Sequence, residues 1–300
     1  MTALGIDIGG TTTVAVVLEH GQVLGAHQVA TRRGDGVVGS AVAAAHEALA
    51  VAGVDRRALE GAGLGVPGIV GDDRTLVRGA VNLGIEALDI GSAVSEGLGV
   101  AVTVDNDVRA AVLGARHLMV EPAEAIAYIG LGTGIAAGLA FGDRVLRGAS
   151  GMAGEIGHIP VPGASSRCRC GQLGCLETVA SGWSLAQRWE GGIPAAAMLA
   201  AAELGEERGV RDWRAFIDGI AHGVRSLVLT TGVDAVLIGG GVSGLGAPLL
   251  DGVQERIAAW AEESPLLAAL DVPARIRLLP LGAQPGAVGA ALMGSAAWRS

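Results

Sequence analysis

The chain contains only three cysteines, no long uncharged hydrophobic run and no excess of basic residues. Because three cysteines cannot all pair within one chain, their number argues against a disulfide framework and favours a reducing, cytoplasmic setting. The uncharged apolar runs 126–142 and 235–250 are short for a transmembrane helix and are interrupted by glycines, and the first residues form no basic leader. Despite a mean hydropathy of +0.49, we therefore expect a soluble protein without a membrane partner.

The charge and the length of the chain further restrict the class of protein and its possible partners. The net charge of -9 and the scattered basic residues give no electrostatic footprint for nucleic acid, so no nucleic-acid partner is expected. At 300 residues, the chain is long enough for two domains, each with its own core. The 50 glycines lie at the ends of apolar runs and mark turns between packed elements.

The apolar runs predict an α/β protein with an internal duplication. The predicted strands are 4–9, 14–18, 61–66, 100–104, 126–129, 135–141 and 235–238, and the predicted helices are 40–52 and 108–117. A strand, a Gly-Thr turn and a returning strand occur twice, near residues 4–18 and 126–141. Since no Pro/Ser-rich or charged linker separates the halves, we expect two similar α/β lobes around a cleft.

All three cysteines lie close to a histidine. The segment 154–177 reads G-E-I-G-H, nine residues, then C-R-C-G-Q-L-G-C-L-E. His158, Cys168, Cys170 and Cys175 make up a closed tetrahedral Cys3His site, the composition of structural zinc, and the glycines between them permit sharp turns. The alternative is that the cysteines are small buried apolar residues that are near each other by coincidence. We expect structural Zn²⁺.

Glycine turns follow several of the predicted strands and are suited to phosphate. They comprise Asp7, Gly9, Gly10, Thr11 and Thr12 in the first turn, Gly132, Thr133 and Gly134 in the second, and Gly240 and Gly241 in the third. Backbone N–H groups of such turns form concave anion sites, and the strand-end carboxylate of the first turn is suited to a hydrated Mg²⁺. A plain β-hairpin is the alternative for the first turn. The third turn alone is a weak signal, suited to an adenine ring against backbone.

These motifs together resemble the ROK family of sugar kinases, of the bacterial glucokinase type. The residues that carry the resemblance are D-I-G-G-T at 7–11, G-V-P-G at 65–68, N-D at 106–107, G-T-G at 132–134, A-G-E-I-G-H at 153–158, the C-x-C-G-x-x-G-C-L-E loop ending at Glu177, and I-G-G-G-V at 238–242. They run in order over essentially the whole chain. The resemblance implies a duplicated actin-like, ribonuclease-H-like fold and transfer of the γ-phosphoryl group of ATP, with Mg²⁺, to a sugar hydroxyl.

The resemblance also implies the organisation of the molecule. We expect an N-terminal lobe over 1–115, completed by a C-terminal helix at about 286–300, and a C-terminal lobe over 116–285 with a zinc-binding loop at 158–175. The partners are a hexose and ATP, and the chain is expected to form a homodimer or homotetramer.

Site residues follow from the matched motifs. Asp107 matches the catalytic base, and the substrate-binding residues implied are Asn106, Asp107, Glu155, His158, Glu177 and Gly68. If one imidazole nitrogen of His158 binds zinc, the other is left at a fixed orientation toward the sugar. The alternatives are that Asp105 or Asp107 only caps a helix and that Glu177 only supports the zinc loop.

Some positions depart from the family pattern. Thr12 stands where lysine is usual, and Ala136 and Ala137 replace glycines after the second turn, so the contacts to phosphate are the less secure part of the resemblance. Arg109 replaces a small polar residue after N-D, with either Asp105 or a phosphate as its partner.

Two other functions are weighed against a kinase. ROK repressors carry a DNA-binding domain ahead of the first glycine turn, and here that turn begins at Asp7, which disfavours a repressor. A catalytically silent sugar sensor is disfavoured by the retained Asp107. Glucose is the first choice of substrate, and N-acetylmannosamine, N-acetylglucosamine, fructose and allose remain alternatives.

Overall fold

A computed structural model describes residues 2–142, 144–190 and 193–295. Its strands are β1 (Thr2–Ile8), β2 (Thr12–Glu19), β3 (Gln22–Ala30), β4 (Gly61–Val66), β5 (Ile69–Val70), β6 (Leu76–Ala80), β7 (Ile85–Asp89), β8 (Val102–Asn106), β9 (Ala125–Leu131), β10 (Ile135–Phe141), β11 (Arg144–Val145), β12 (Ala235–Gly239) and β13 (Ile276–Leu278). Its α-helices are α1 (Gly36–Ala52), α2 (Ile90–Leu98), α3 (Asp107–His117), α4 (Glu177–Ala180), α5 (Gly182–Ala186), α6 (Pro194–Glu203), α7 (Glu207–Thr231), α8 (Ala247–Glu262), α9 (Pro265–Leu270) and α10 (Pro285–Gly294).

The chain divides into two compact units. They are Met1–Pro122 with Gly138–Ala153 and Gly282–Ser300, and Ala123–Ala137 with Gly154–Leu281. The domain boundaries expected from the sequence, 1–115 and 116–285, stay a prediction. The helix expected at 286–300 is α10, which ends at Gly294, and residues 296–300 lie outside the described part of the chain.

The first sheet has the order β3-β2-β1-β4-β8, and its central strands β1 and β4 are buried. β1, β2 and β3 are antiparallel neighbours, whereas β4 and β8 continue the sheet in parallel with β1. Successive side chains of a strand point to opposite faces, so Leu4 and Ile6 join the core that includes α1 while Ala3 packs against Ala287 of α10. Gly5 is required here because a Cβ would lie 1.9 Å from the carbonyl oxygen of Ala287.

The second sheet repeats this plan in the order β11-β10-β9-β12-β13. A parallel partner again follows the first strand, since β12 pairs in parallel with β9 and β13 with β12. The core of the second unit includes the buried Phe216 and Ile220 of the long helix α7. The matching orders of the two sheets confirm the duplication expected from the two strand-turn-strand segments.

The strands and helices expected from the sequence are present, with small shifts at their ends. The strand expected at 100–104 runs over Val102–Asn106, so the N-D pair lies directly at a strand-to-helix junction. The small sheet β5-β6-β7 was not expected from the sequence. Within the described residues, no helix combines the length and the apolar character needed to cross a membrane.

Candidate active site

The carboxyl ends of three parallel strands in the first unit bring Asp7 beside Asp107. Asp7 of β1 pairs in register with Gly65 of β4, which in turn pairs with Asp105 of β8. A Cβ on Gly65 would lie 3.4 Å from both Asp7 Oδ1 and the Cα of Asp107, so this glycine keeps the space between them open. Burial, and then the charge of Asp107, raises the pKa of Asp7 to about 7. A divalent cation would relieve this repulsion, which is the chemistry expected of a Mg²⁺ site.

The junction of β8 and α3 is held by Asn106, which is the N-cap of the helix. Its Oδ1 accepts the N–H groups of Val108 (3.1 Å) and Arg109 (3.3 Å), while its Nδ2 donates to the carbonyl oxygen of Gly68 (3.3 Å). Asp107 is the first helical residue, and its Oδ1 accepts the N–H of Val108 (2.9 Å). Asn106 therefore caps the helix, and it also ties the G-V-P-G turn to this junction.

The first glycine turn closes on itself and brings in a residue that the sequence did not single out. The N–H of Gly9 donates to the carbonyl oxygen of Thr12 (2.9 Å) and that of Thr31 to the carbonyl oxygen of Thr11 (2.9 Å). A Cβ on Gly10 would lie 3.7 Å from the Cβ of Asn82, which places Asn82 at the turn. An Asn in V-N-L-G between a strand and a turn was the only signal for it.

The second glycine turn lies in the second unit, next to Glu177. Gly132 and Thr133 accept, through their carbonyl oxygens, the N–H groups of Gly182 (2.8 Å) and Trp183 (3.0 Å) at the start of α5. Oε2 of Glu177 accepts the N–H of Ile135, the residue directly after the turn, at 3.2 Å. One carboxylate that was expected to bind sugar is thus attached to the turn that was expected to bind phosphate.

The third glycine turn lies near the second. Gly240 has a φ of 91°, and a Cβ on it would lie 2.5 Å from the carbonyl oxygen of Leu131, which directly precedes the G-T-G turn. The reason is the parallel pairing of β12 with β9, in which Gly239 is opposite Gly130. Gly241 then begins a 3-10 helix. Two of the turns expected at the nucleotide therefore meet in the second unit.

The segment that carries Glu155 and His158 packs against strand β10. The N–H of Ala137 donates to the carbonyl oxygen of Gly154 (2.7 Å), and a Cβ on Gly154 would lie 1.7 Å from the carbonyl oxygen of Ala137. Ala137, one of the departures from the family pattern, is thus buried beneath the motif that was expected to bind sugar. Glu155 itself is exposed and its Oε2 lies 3.8 Å from Nε2 of His158.

The four residues expected at zinc form one cluster in the second unit. The ligand atoms of His158, Cys168, Cys170 and Cys175 all lie within 4.8 Å of one another. Nδ1 of His158 lies 3.7 Å from Sγ of Cys168, so this nitrogen faces the thiols and Nε2 faces Glu155. Three thiols and one imidazole nitrogen within this distance fit a tetrahedral metal site.

The three thiols ionise differently. Burial raises the pKa of Cys168 and raises that of Cys175 to about 12. A backbone hydrogen bond from Gln172 lowers the pKa of the exposed Cys170 to about 6. Because only thiolates bind zinc, a bound cation must hold Cys168 and Cys175 in their deprotonated form.

Arg109 pairs with Asp105, which settles the choice that the sequence left open. Nε of Arg109 lies 2.6 Å from Oδ1 of Asp105, and both side chains are 3% exposed. Asp105 is therefore an ion-pair partner, and Asn106 is the helix cap. Arg147 is a second partner of Asp105 that the sequence did not reveal, because it lies 42 residues away along the chain.

Comparison with known proteins identifies the family. The sequence matches the ROK family over residues 3–296. A glucokinase of Halalkalibacterium halodurans is 30% identical over 310 residues, which cover 95% of this chain and 92% of the relative. An N-acetylmannosamine kinase of Yersinia pestis is 27% identical over 270 residues, covering 87% and 89%.

A solved structure agrees in fold. The ROK family glucokinase of Streptomyces griseus in complex with glucose and AMPPNP is 30% identical and has a TM-score of 0.81, with 98% of this chain and 99% of that chain covered. This similarity confirms the duplicated actin-like, ribonuclease-H-like fold. The chain therefore belongs to the ROK family.

Proposed function

We propose that this sugar kinase transfers the γ-phosphoryl group of ATP to glucose and forms glucose 6-phosphate. The observation that carries the proposal is the junction at Asp107, where a carboxylate at a helix start lies beside Asp7 and the G-V-P-G turn. The 30% identity to a glucokinase over 95% of the chain supports glucose as the acceptor. A ROK glucokinase of similar fold binds glucose and AMPPNP, which supports ATP as the donor.

In this proposal Asp107 is the general base. Phosphoryl transfer requires the protein mainly to position the reactants, to neutralise charge and to accept the proton of the attacking hydroxyl. Asp107 accepts that proton while its neighbour Asn106 fixes the junction through the helix cap and the bond to Gly68. The sugar hydroxyls are bound by Glu155, His158 and Glu177, whose carboxylate and imidazole groups are directional acceptors.

The proposed phosphate contacts come from the glycine turns. Gly9, Gly10, Thr11 and Thr12 form the first contact, Gly132, Thr133 and Gly134 the second, and Gly240 and Gly241 border the adenine. Asp7 holds the hydrated Mg²⁺ that accompanies ATP. The raised pKa of Asp7 beside Asp107 fits this role, because a divalent cation stabilises two neighbouring carboxylates in their charged form.

Zinc is proposed as a structural ion on His158, Cys168, Cys170 and Cys175. When bound it fixes the shape of the loop, and it performs no chemistry. Because Nδ1 of His158 faces the thiols, Nε2 is the nitrogen left to bond a sugar hydroxyl, at a position 3.8 Å from Glu155.

The remaining parts of the proposal concern the whole protein. We propose lobes over 1–115 with the C-terminal helix and over 116–285, a cytoplasmic location, and a homodimer or homotetramer. Light scattering coupled to size-exclusion chromatography measures the oligomeric state.

N-acetylmannosamine is the second candidate substrate, favoured by the 27% identity to a kinase for that sugar. A coupled ADP assay with ATP and Mg²⁺ separates the candidates on a panel of glucose, N-acetylmannosamine, N-acetylglucosamine, fructose and allose. We expect the highest kcat/KM with glucose. A higher kcat/KM with another hexose would make that hexose the proposed substrate in place of glucose. Sugar binding without any turnover would favour the catalytically silent sensor.

A further inference from the structure

One carboxylate in the first unit holds two arginines from distant parts of the chain. Oδ1 of Asp105 pairs with Nε of Arg109 at 2.6 Å, and Oδ2 pairs with Nη2 of Arg147. Asp105 and Arg109 are each 3% exposed, and Arg147 is 25% exposed. We call these three residues the arginine clamp.

The clamp also reaches the backbone of the segment 147–153. Nη1 of Arg109 donates to the carbonyl oxygen of Gly151 at 2.6 Å. The segment folds back on itself, because the N–H of Ala153 donates to the carbonyl oxygen of Arg147 (3.1 Å) and that of Gly151 to the carbonyl oxygen of Gly148 (3.3 Å). Side-chain and backbone contacts of the clamp therefore fix both ends of this short segment.

Stability is a weak explanation for such an arrangement. Buried ion pairs are frequently replaced by apolar residues without loss, since desolvation of the charges offsets their attraction. Here two guanidinium groups share one carboxylate, and the buried Nη2 of Arg109 has no hydrogen-bond partner among the residues that the structure describes. A role in fixing the conformation of the surrounding backbone is the alternative explanation for retaining such a cluster.

The clamp joins the junction of Asp107 to a segment that leads along the chain to the proposed sugar ligands. Asp105 and Arg109 are placed two residues before and two residues after Asp107, so their ion pair spans the junction that carries the proposed base. The segment 147–153 continues directly along the chain into Gly154 and Glu155, where the proposed sugar ligands begin. A rigid segment at this point limits the positions that the following residues can adopt.

We infer that Arg109 and Arg147 are positioning residues that lock the segment 147–153 onto the strand-to-helix junction of Asp107. This inference rests on the proposed function in so far as the segment leads to sugar ligands. The inference assigns neither arginine a contact with the sugar. Arg147 acts on the segment, whereas Arg109 acts on both the segment and the junction.

The test compares Arg147→Ala and Arg109→Lys with Arg144→Ala as the matched control. Arg144 is exposed and lies on β11, three residues before Arg147, outside the clamp. Hydrogen exchange of the backbone over residues 144–153 is expected to accelerate in Arg147→Ala and to stay unchanged in Arg144→Ala. This measurement requires no substrate, so it tests the clamp even if the proposed function fails.

Steady-state kinetics then test the link to the sugar. In Arg147→Ala we expect the KM for sugar to rise about tenfold, the effect of losing a charged hydrogen bond, with the KM for ATP unchanged. Arg109→Lys keeps the charge but cannot bridge Asp105 and Gly151 together, so kcat is expected to fall as well. Added guanidinium chloride at millimolar concentration should partly restore the KM for sugar of Arg147→Ala.

The outcomes separate the two hypotheses. A wild-type protein that phosphorylates no sugar overturns the proposed function while the exchange experiment still judges the clamp. An active wild type whose Arg147→Ala variant exchanges normally overturns the clamp. Faster hydrogen exchange in Arg147→Ala with an unchanged KM for sugar overturns the positioning role. If Arg147→Ala and Arg144→Ala have equal thermal stability, general destabilisation is excluded as the cause of a raised KM.

Discussion

Asp107 depends for its position on the residues around it. Asn106 caps the helix, Gly65 leaves space, and Asp7 lies close enough for the charge of Asp107 to raise its pKa. A base at this place has a fixed backbone, so its own substitution should affect chemistry more than structure.

The first prediction is that Asp107→Asn abolishes most turnover and leaves sugar affinity roughly intact. The amide keeps the shape and a hydrogen-bonding oxygen but cannot accept the proton, and removal of a general base typically lowers kcat about 10²–10⁴-fold. The coupled ADP assay gives kcat, and calorimetric titration with glucose gives the affinity. If the variant kept more than about a tenth of the wild-type kcat, Asp107 would lose its assigned role.

The second prediction concerns His222, a titratable residue of α7 outside the proposed site. Its ring lies 4.6 Å from that of Trp260, and Arg225, Arg256 and Asp218 are the charged groups around it. Burial, and then the charge of Arg225, lowers its pKa from 6.5, so the folded state binds the proton less readily than the unfolded state does.

Proton linkage determines how the lowered pKa of His222 changes the stability of the protein with pH. As pH falls below about 6.5, the unfolded chain takes up a proton at His222 before the folded protein does, so the free energy of unfolding decreases. In His222→Gln this contribution to the decrease in the free energy of unfolding at low pH should be absent. Urea unfolding at about pH 7 and pH 5.5 measures it, with the exposed His46→Gln as control. An equal decrease in the free energy of unfolding between the two pH values in wild type and His222→Gln would contradict the prediction.

At the scale of elements, the turn between β9 and β10 and the start of α4 share one carboxylate. Glu177 is a proposed sugar ligand, yet its Oε2 accepts the N–H of Ile135 just after the G-T-G turn. A Cβ on Gly134 would lie 2.6 Å from the same oxygen, so the turn can approach the carboxylate only because Gly134 has no side chain. The residues proposed to bind sugar and those proposed to bind nucleotide are therefore in contact within the second unit.

The third prediction is that Glu177→Ala raises the KM for both sugar and ATP, whereas Glu155→Ala raises the KM for sugar alone. Both variants remove a proposed sugar-binding carboxylate, but only Glu177 also orders the G-T-G turn. Each lost charged hydrogen bond is expected to raise the KM by roughly tenfold or more. Two-substrate kinetics provide both constants. A Glu177→Ala variant with a wild-type KM for ATP would show that the contact to Ile135 has no part in nucleotide binding.

Local patterns made the central strands of both sheets predictable. Strands β1, β4, β9 and β12 are apolar runs that end at glycine turns, and the predicted helix 108–117 appears as α3. The sheet β5-β6-β7 was missed because its strands are short and half-exposed, which leaves a weak alternating pattern. The Cys3His cluster was predictable because its four residues lie within 18 positions, from His158 to Cys175.

Contacts between distant residues were beyond the reach of such patterns. Nothing in the spacing of Asp105 and Arg147 indicates that they pair, and the sequence left two partners open for Arg109. Similarly, Asn82 meets Gly10 only because β6 and the turn after it return to the first sheet's carboxyl edge. These arrangements depend on the tertiary fold, which periodicity does not encode.

At the scale of the whole molecule, each unit has its own buried core. Leu4, Ile6 and Leu64 belong to that of the first unit, and Phe216 and Ile220 to that of the second. The Cys3His cluster lies at neither centre, since Cys170 is exposed and the cluster sits in a loop before α4. Loss of the metal should therefore leave the two cores folded.

The fourth prediction is that Cys170→Ser yields a folded protein that has lost its zinc and most of its affinity for sugar. A closed thiolate site contributes folding free energy to the loop that carries it, so loss of one ligand should disorder the residues near 155–177, among them Glu155, His158 and Glu177. Elemental analysis is expected to find one zinc per chain in the wild type and none in the variant. Circular dichroism should change little, calorimetry with glucose should show weaker binding, and nucleotide binding should weaken no more than in Glu177→Ala. A zinc-free variant that still phosphorylates its sugar with an unchanged KM would show that the metal does not organise the sugar site and is only a clip within its loop.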